Sequence, residues 1–154
     1  LYVRPETQGA PDFLIERAIR DSAIEFCKRT GVYIPEPESI LIIAGLNEYE
    51  VTVPSGTEMN YITDIDADTF RVLYSLKPSS TSTSVPDSVG KEHRETIAQG
   101  ALYRLQMMPG QPFSNPSSAG VNKQLFDKEV GRTVRQVKYG FSGGSLTVKK
   151  RAFI

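Results

Sequence analysis

Apolar residues recur at helical spacing in three stretches of this chain and alternate with polar ones in the region between the first and the second. The first stretch opens at Pro11 and Asp12 and closes at Gly31, which predicts a helix over 11–30. Ile15, Ala18, Ile19, Ser22, Ala23, Phe26 and Cys27 fall on one face of it. Glu16 with Arg20, Arg17 with Asp21, and Glu25 with Arg29 form i,i+4 pairs on the other. Each exposed pair contributes only ~0.3–0.5 kcal/mol. The buried face carries more, roughly 1.5–3 kcal/mol for a fully buried Ile or Phe.

A second helix is predicted over 86–108. Pro86 and Asp87 suit its first turn, where a missing N–H and an acidic side chain are both favourable. Ile97, Ala98, Ala101, Leu102, Leu105 and Met108 give the apolar spacing, and Gly100 with Ala101 keeps the stretch slim enough for another helix to approach closely. Pro109 and Gly110 stop it. Asn115 and Pro116 read as an N-cap and first-turn pair for a third helix over 116–139, with Val121, Leu125, Phe126, Val130, Val134 and Val137 as its stripe and Gly140 at its end.

Residues 32–77 change to period two and predict a β insertion. Ser39–Ala44 is a short apolar run. Tyr49, Val51 and Val53 alternate with Glu50 and Thr52. Tyr61–Ile65 and Phe70–Leu76 read as two more strands, joined by Asp66, Ala67 and Asp68, in a small antiparallel sheet or half-barrel. The polar Leu1–Ala10 reads as an extended arm. Residues 140–154 read as a second arm, a glycine hinge (Gly140, Gly143, Gly144) followed by an alternating, basic, apolar-ended strand. The fold class expected is α+β: a three-helix bundle with a small antiparallel β insertion and an extended C-terminal arm, in one domain of 154 residues.

Composition narrows the function more than the fold. Eighteen basic and eighteen acidic residues give zero formal net charge, which argues against a dedicated nucleic-acid binder. It leaves room for a protein that lets DNA slide past ungripped. A single cysteine rules out an intrachain disulfide and makes a thiolate metal site unexpected. No run approaches the ~18 apolar residues of a membrane span. No secretory signal is read, so the expected setting is cytoplasmic assembly.

Five features invite chemistry, and each reads better as structure. Gly140, Ser142 and Gly144 match G-x-S-x-G, but that elbow needs a strand before it and a helix after it, and the sole histidine, His93, precedes the serine. Asp64, Asp66 and Asp68 match the start of a calcium loop, yet Thr69 and Ser75 stand where it wants Gly and Glu. Cys27 beside Phe26 reads as a small core hydrophobe. His93 among Glu92, Arg94 and Glu95 reads as a solvated or interface side chain. Lys149, Lys150 and Arg151 are too short a run for a phosphate-binding patch, but the apolar Leu146, Val148, Phe153 and Ile154 around them need something to bury against, either this domain's own sheet or a second chain. No catalytic, cofactor-binding or metal-binding residue is predicted, and the chain is not expected to be an enzyme.

Three stretches carry a family likeness: PDFLIERAIRDSAIEFCKRTGVY (11–33), LKPSSTSTSVPDSVGKEHRETIAQGALYRLQMMPGQPFSNP (76–116) and GGSLTVKKRAFI (143–154). Together they cover about half the chain in the family's order, and they resemble the head-to-tail adaptor (head completion, connector) proteins of tailed bacteriophages. The resemblance implies a helical bundle with a β insertion and no active site. It implies a ring of copies of the chain, usually twelve, beneath the portal protein, joining the DNA-filled head to a downstream tail or neck protein. Genomic DNA would pass through the lumen without sequence-specific binding. The location implied is the head–tail neck of the virion. Ile19, Arg20, Asp21, Ile24, Glu25 and Phe26 look architectural. The residues expected at a portal or neighbour interface are Leu146, Val148, Lys149, Arg151, Phe153 and Ile154 of the arm, with Arg20 and Asp21 of the first helix. The region between Pro54 and Leu76 is shorter than in many members of that family, which leaves its tail-side contact open. A neck stopper or tail-completion ring is the alternative reading, and a small hydrolase a remote one.

Overall fold

A computed structural model describes residues 3–36, 38–39, 48–66 and 71–140, and its elements make an α+β protein. A 3₁₀ turn at Arg4–Glu6 precedes α1 (Asp12–Thr30). Then come β1 (Glu38–Ser39), β2 (Thr57–Asp66), β3 (Arg71–Pro78), α2 (Asp87–Glu92), α3 (Arg94–Gln106) and α4 (Pro116–Tyr139). Helices α1, α3 and α4 pack on one another, and β3 leans on α1.

The helix ends follow from local chemistry. Gly31 takes φ +64°, a left-handed conformation that suits glycine, and its N–H bonds the Cys27 carbonyl at 2.9 Å to close α1. A side chain there would also collide with the Tyr61 hydroxyl. Asn115 caps α4 by accepting from the Ser118 N–H at 3.1 Å, with Pro116 in the first turn.

Where the three long helices cross stands Gly100. A Cβ on it would overlap the Ser22 hydroxyl of α1 and come within 2.9 Å of two ring carbons of Phe126 on α4. The Ser22 hydroxyl donates to the Ile97 carbonyl at 2.8 Å, so a polar atom enters the core already satisfied. On one side of this crossing Val3, Ile15, Ala18, Ala101, Leu105 and Phe113 pack together. On the other, Ala23, Phe26, Cys27, Ile97, Phe126 and Val130 do so.

The sheet runs antiparallel in the order β1-β3-β2, with β1 supplying two residues. Thr57 pairs with Pro78 at the base of the β2–β3 hairpin and Asp66 with Arg71 at its far end, with irregularities between Met59 and Tyr61 and between Ile62 and Asp64. Val72, Tyr74 and Leu76 are its buried face. Tyr33 joins sheet to helices: it packs against both cores, and its carbonyl accepts the Leu76 N–H at 2.8 Å.

Five expectations are corrected. The helix predicted over 86–108 is two helices, α2 and α3, broken at His93 (φ −116°, ψ 22°). Val89 and Ile97, on either side of the break, both belong to the Phe26 core. The stripe on α4 is also different. Ala119, Phe126, Val130 and Thr133 are buried, while Val121 and Leu125 are 57% and 39% exposed. The N-terminal stretch is no extended arm: Val3 and Thr7 are buried, and the Thr7 hydroxyl donates to the Val3 carbonyl at 2.9 Å. Residues 48–53 form no strand, although Val51 and Val53 still pack against the sheet core. Among the described residues no ion pair joins Glu16 to Arg20, although both line one cleft. Most of the apolar run 39–44, Asp68 and the arm from residue 141 onward lie outside the described residues.

Candidate interaction surfaces

Among the described residues, the two side chains with the most intrinsic reactivity, Cys27 and His93, are buried to different degrees. Cys27 is fully enclosed on α1, and burial pushes its thiol up to about 12. Such a sulfur stays protonated and inert at neutral pH. His93 sits at the α2–α3 break with its ring centroid 4.7 Å from that of Phe26. Burial holds its imidazole below the ordinary value, against the nearby charges of Glu92 and Glu129. Its Nε2 is buried without a hydrogen-bond partner among the described residues. Asp64 and Asp66 belong to strand β2 rather than to a loop. Among the described residues no group of three His, Cys, Asp or Glu side chains is arranged to hold a metal. Ser142 lies outside the described residues.

Surfaces offer more than side-chain chemistry. Beside His93, a groove of about 470 Å³ between α3 and α4 is walled by Glu92, Arg94, Gln99, Leu125 and Glu129 among others. Gln99 Oε1 is likewise buried and unpaired there. Both signs of charge alternate along this groove, which suits contact with a protein surface better than capture of one charged small molecule.

A second cleft, of about 400 Å³, runs between α1 and the loop before α2, lined by Glu16, Ile19, Arg20 and residues 82–85. It shares Ile19 and Val85 with an apolar cavity of about 260 Å³ under Val3, Ile97 and Ala98. Arg20 Nε is buried and unpaired at this cleft. The neighbouring Asp21 faces Arg17 at 3.7 Å. Arg20 and Asp21, the two helix residues expected at an interface, thus differ: the first edges a cleft, the second makes an exposed pair. The arm residues expected there, Leu146, Val148, Lys149, Arg151, Phe153 and Ile154, lie outside the described residues.

Spacing missed a charge network that ties the three long helices. Arg29 of α1 reaches Glu25 at 3.2 Å and Asp127 of α4 at 2.6 Å; Arg104 of α3 bonds Glu25; Lys123 reaches Asp127 at 2.9 Å. Burial raises the Glu25 carboxyl, but hydrogen bonds and charge from Arg104 and Arg29 outweigh it and leave it low. Hydrogen bonds from Arg29 and Lys123 hold Asp127 low as well. Glu25–Arg29 and Lys123–Asp127 are i,i+4 pairs with a local signal, whereas the contacts that join the helices, Arg29–Asp127 and Arg104–Glu25, link positions far apart in sequence.

Exposed apolar side chains complete the picture. Tyr61 and Ile62 of β2 are 44% and 50% exposed, and Val121 and Leu125 crop out on α4. Strand β2 lies at the edge of the sheet. Among the described residues no helix is long and apolar enough to cross a membrane. Compared with known proteins, the chain matches no family model, and no curated protein is significantly similar to it in sequence.

Proposed function

We propose that this chain is a head-to-tail adaptor of a tailed-bacteriophage particle: a three-helix bundle with a small β insertion and an extended C-terminal arm, forming a ring beneath the portal and continuing the DNA channel toward the tail. The observation that carries the reading is the ordered likeness of residues 11–33, 76–116 and 143–154 to that family. The first of these stretches spans α1 and Tyr33, and the second spans the end of β3, α2, α3 and the cap of α4. The first two stretches include Ser22 and Gly100, which meet where the long helices cross, and the third lies outside the described residues.

Physical chemistry supports a structural role. The one thiol is sealed in the core, and the exposed features are mixed-charge grooves, an edge strand and apolar outcrops. Unlike surfaces on one chain make heterologous contacts, which close into a ring when the rotation fits. Zero net charge suits a lumen that passes DNA without holding it. The experiment is reconstitution: purified full-length chain mixed with purified portal should yield a ring on one face of the portal by electron microscopy. Portal particles that remain bare at saturating chain would overturn the reading.

A further inference from the structure

We propose that the outer edge of β2 is the docking site for the segment Ser145–Ile154 of this chain, which adds to the sheet as a further strand. The proposal rests on the reading of the C-terminal segment as a docking arm and names the surface that receives it.

The receiving edge is the first argument. In the order β1-β3-β2, one side of β2 has no strand partner among the described residues. Its backbone N–H and C=O groups there are a template for another strand. Edge strands are commonly blunted by Lys or Pro, and β2 (TEMNYITDID) contains neither. Its base is fixed: Asn60 Nδ2 donates to the Cys27 and Lys28 carbonyls at 3.4 and 3.3 Å, which clamps the strand to the end of α1. Next to that clamp Tyr61 sets its hydroxyl against Gly31 while staying 44% exposed, and Ile62 beside it is 50% exposed on the surface of a polar strand. That outer part, Tyr61–Asp66, is the open template.

Charge is the second argument. Strand β2 carries Glu58, Asp64 and Asp66 and no basic residue; Ser145–Ile154 carries Lys149, Lys150 and Arg151 and no acidic one. Glu58 is already paired with Lys77 at 3.2 Å, and Arg71 stands opposite Asp66 in the ladder, so Asp64 carries the net acidic charge at that end and is the counterpart of the basic run. The segment's sequence also alternates: as a strand it would put Leu146 and Val148 on one side of the pleat and Thr147 and Lys149 on the other. Main-chain bonds supply the attachment, and side chains at alternate positions select the partner.

The test uses the full-length protein with a photo-crosslinking residue at Val148, followed by mass spectrometry of the joined peptides. Crosslinks should concentrate in residues 57–66. The variant D64K/D66K should lower that yield about tenfold, because like charges facing each other are strongly disfavoured. Adding K149E/K150E/R151E to it should restore the yield, a rescue that a merely misfolded hairpin would not show. Crosslinks concentrated on another element, or a yield in 57–66 indifferent to the charge reversal, would overturn the proposal. An arm that docks elsewhere leaves the adaptor reading standing. An arm on β2 in a protein that binds no portal sinks the adaptor reading alone.

Discussion

Arg29 and Asp127 meet at 2.6 Å although 98 positions of chain separate them. The contact joins α1 to α4, and the guanidinium also lies 5.8 Å from the centre of the Phe126 ring. It therefore sits at the rim of the core that Phe26, Phe126 and Val130 form.

From that contact follows an acid-dependent stability. The folded Asp127 carboxyl is held below its ordinary 3.8, so its contribution is present above that value and fades as pH falls below it. The Asp127 side chain is 36% exposed, so solvent screening keeps the effect small. The variant D127N should lose about 0.5–1 kcal/mol at pH 7 in urea denaturation. At pH 3 the difference from the natural chain should shrink markedly, because the carboxylate is then increasingly protonated.

Gly100 gives a prediction with a built-in control. In an open helix, Gly→Ala gains up to ~1 kcal/mol. At Gly100 the new methyl meets the Ser22 hydroxyl and the Phe126 ring, and overpacking of this kind costs roughly 1–3 kcal/mol. The variant G100A should therefore melt lower than the natural chain. G120A and G131A, in α4 with nothing within 4 Å of the added atom, should hold or raise the melting temperature.

Cys27 should ignore thiol reagents. Its pKa of about 12 leaves almost no thiolate at pH 7–8, and the side chain has no exposure. Labelling of the folded chain should run at the rate of global opening and become fast in denaturant. Rapid labelling without denaturant would contradict the placement of α1 against α4.

His93 should titrate below 6.5 in an NMR pH series, because burial beside Phe26 disfavours the imidazolium. The folded value lies below the unfolded one, so neutral His93 adds stability above pH 6.5 and loses it as pH falls from there through the folded value.

Much of the body was legible in sequence because its signals are local. Pro11–Asp12, Gly31 and Asn115–Pro116 mark helix ends by their own backbone chemistry, and Gly100 announces a close approach. The errors have one physical source, tertiary packing overriding local pattern. Thr133 and Ala119 are buried on α4 without looking like core, while Val121 and Leu125 look like core and face out. Thr7 is polar yet enclosed because its hydroxyl is satisfied by the Val3 carbonyl. The break at His93 leaves Val89 and Ile97 in one core, so the apolar pattern across 86–108 carried no mark of it. The cleft at Arg20 and the Arg29–Asp127 contact join distant segments, and no spacing rule reports such meetings.

The most direct measurement of the central claim is electron microscopy of particles assembled without this chain. The adaptor account predicts separate heads and tails, rejoined when the natural chain is added back. Particles with heads and tails fully joined in its absence would contradict it.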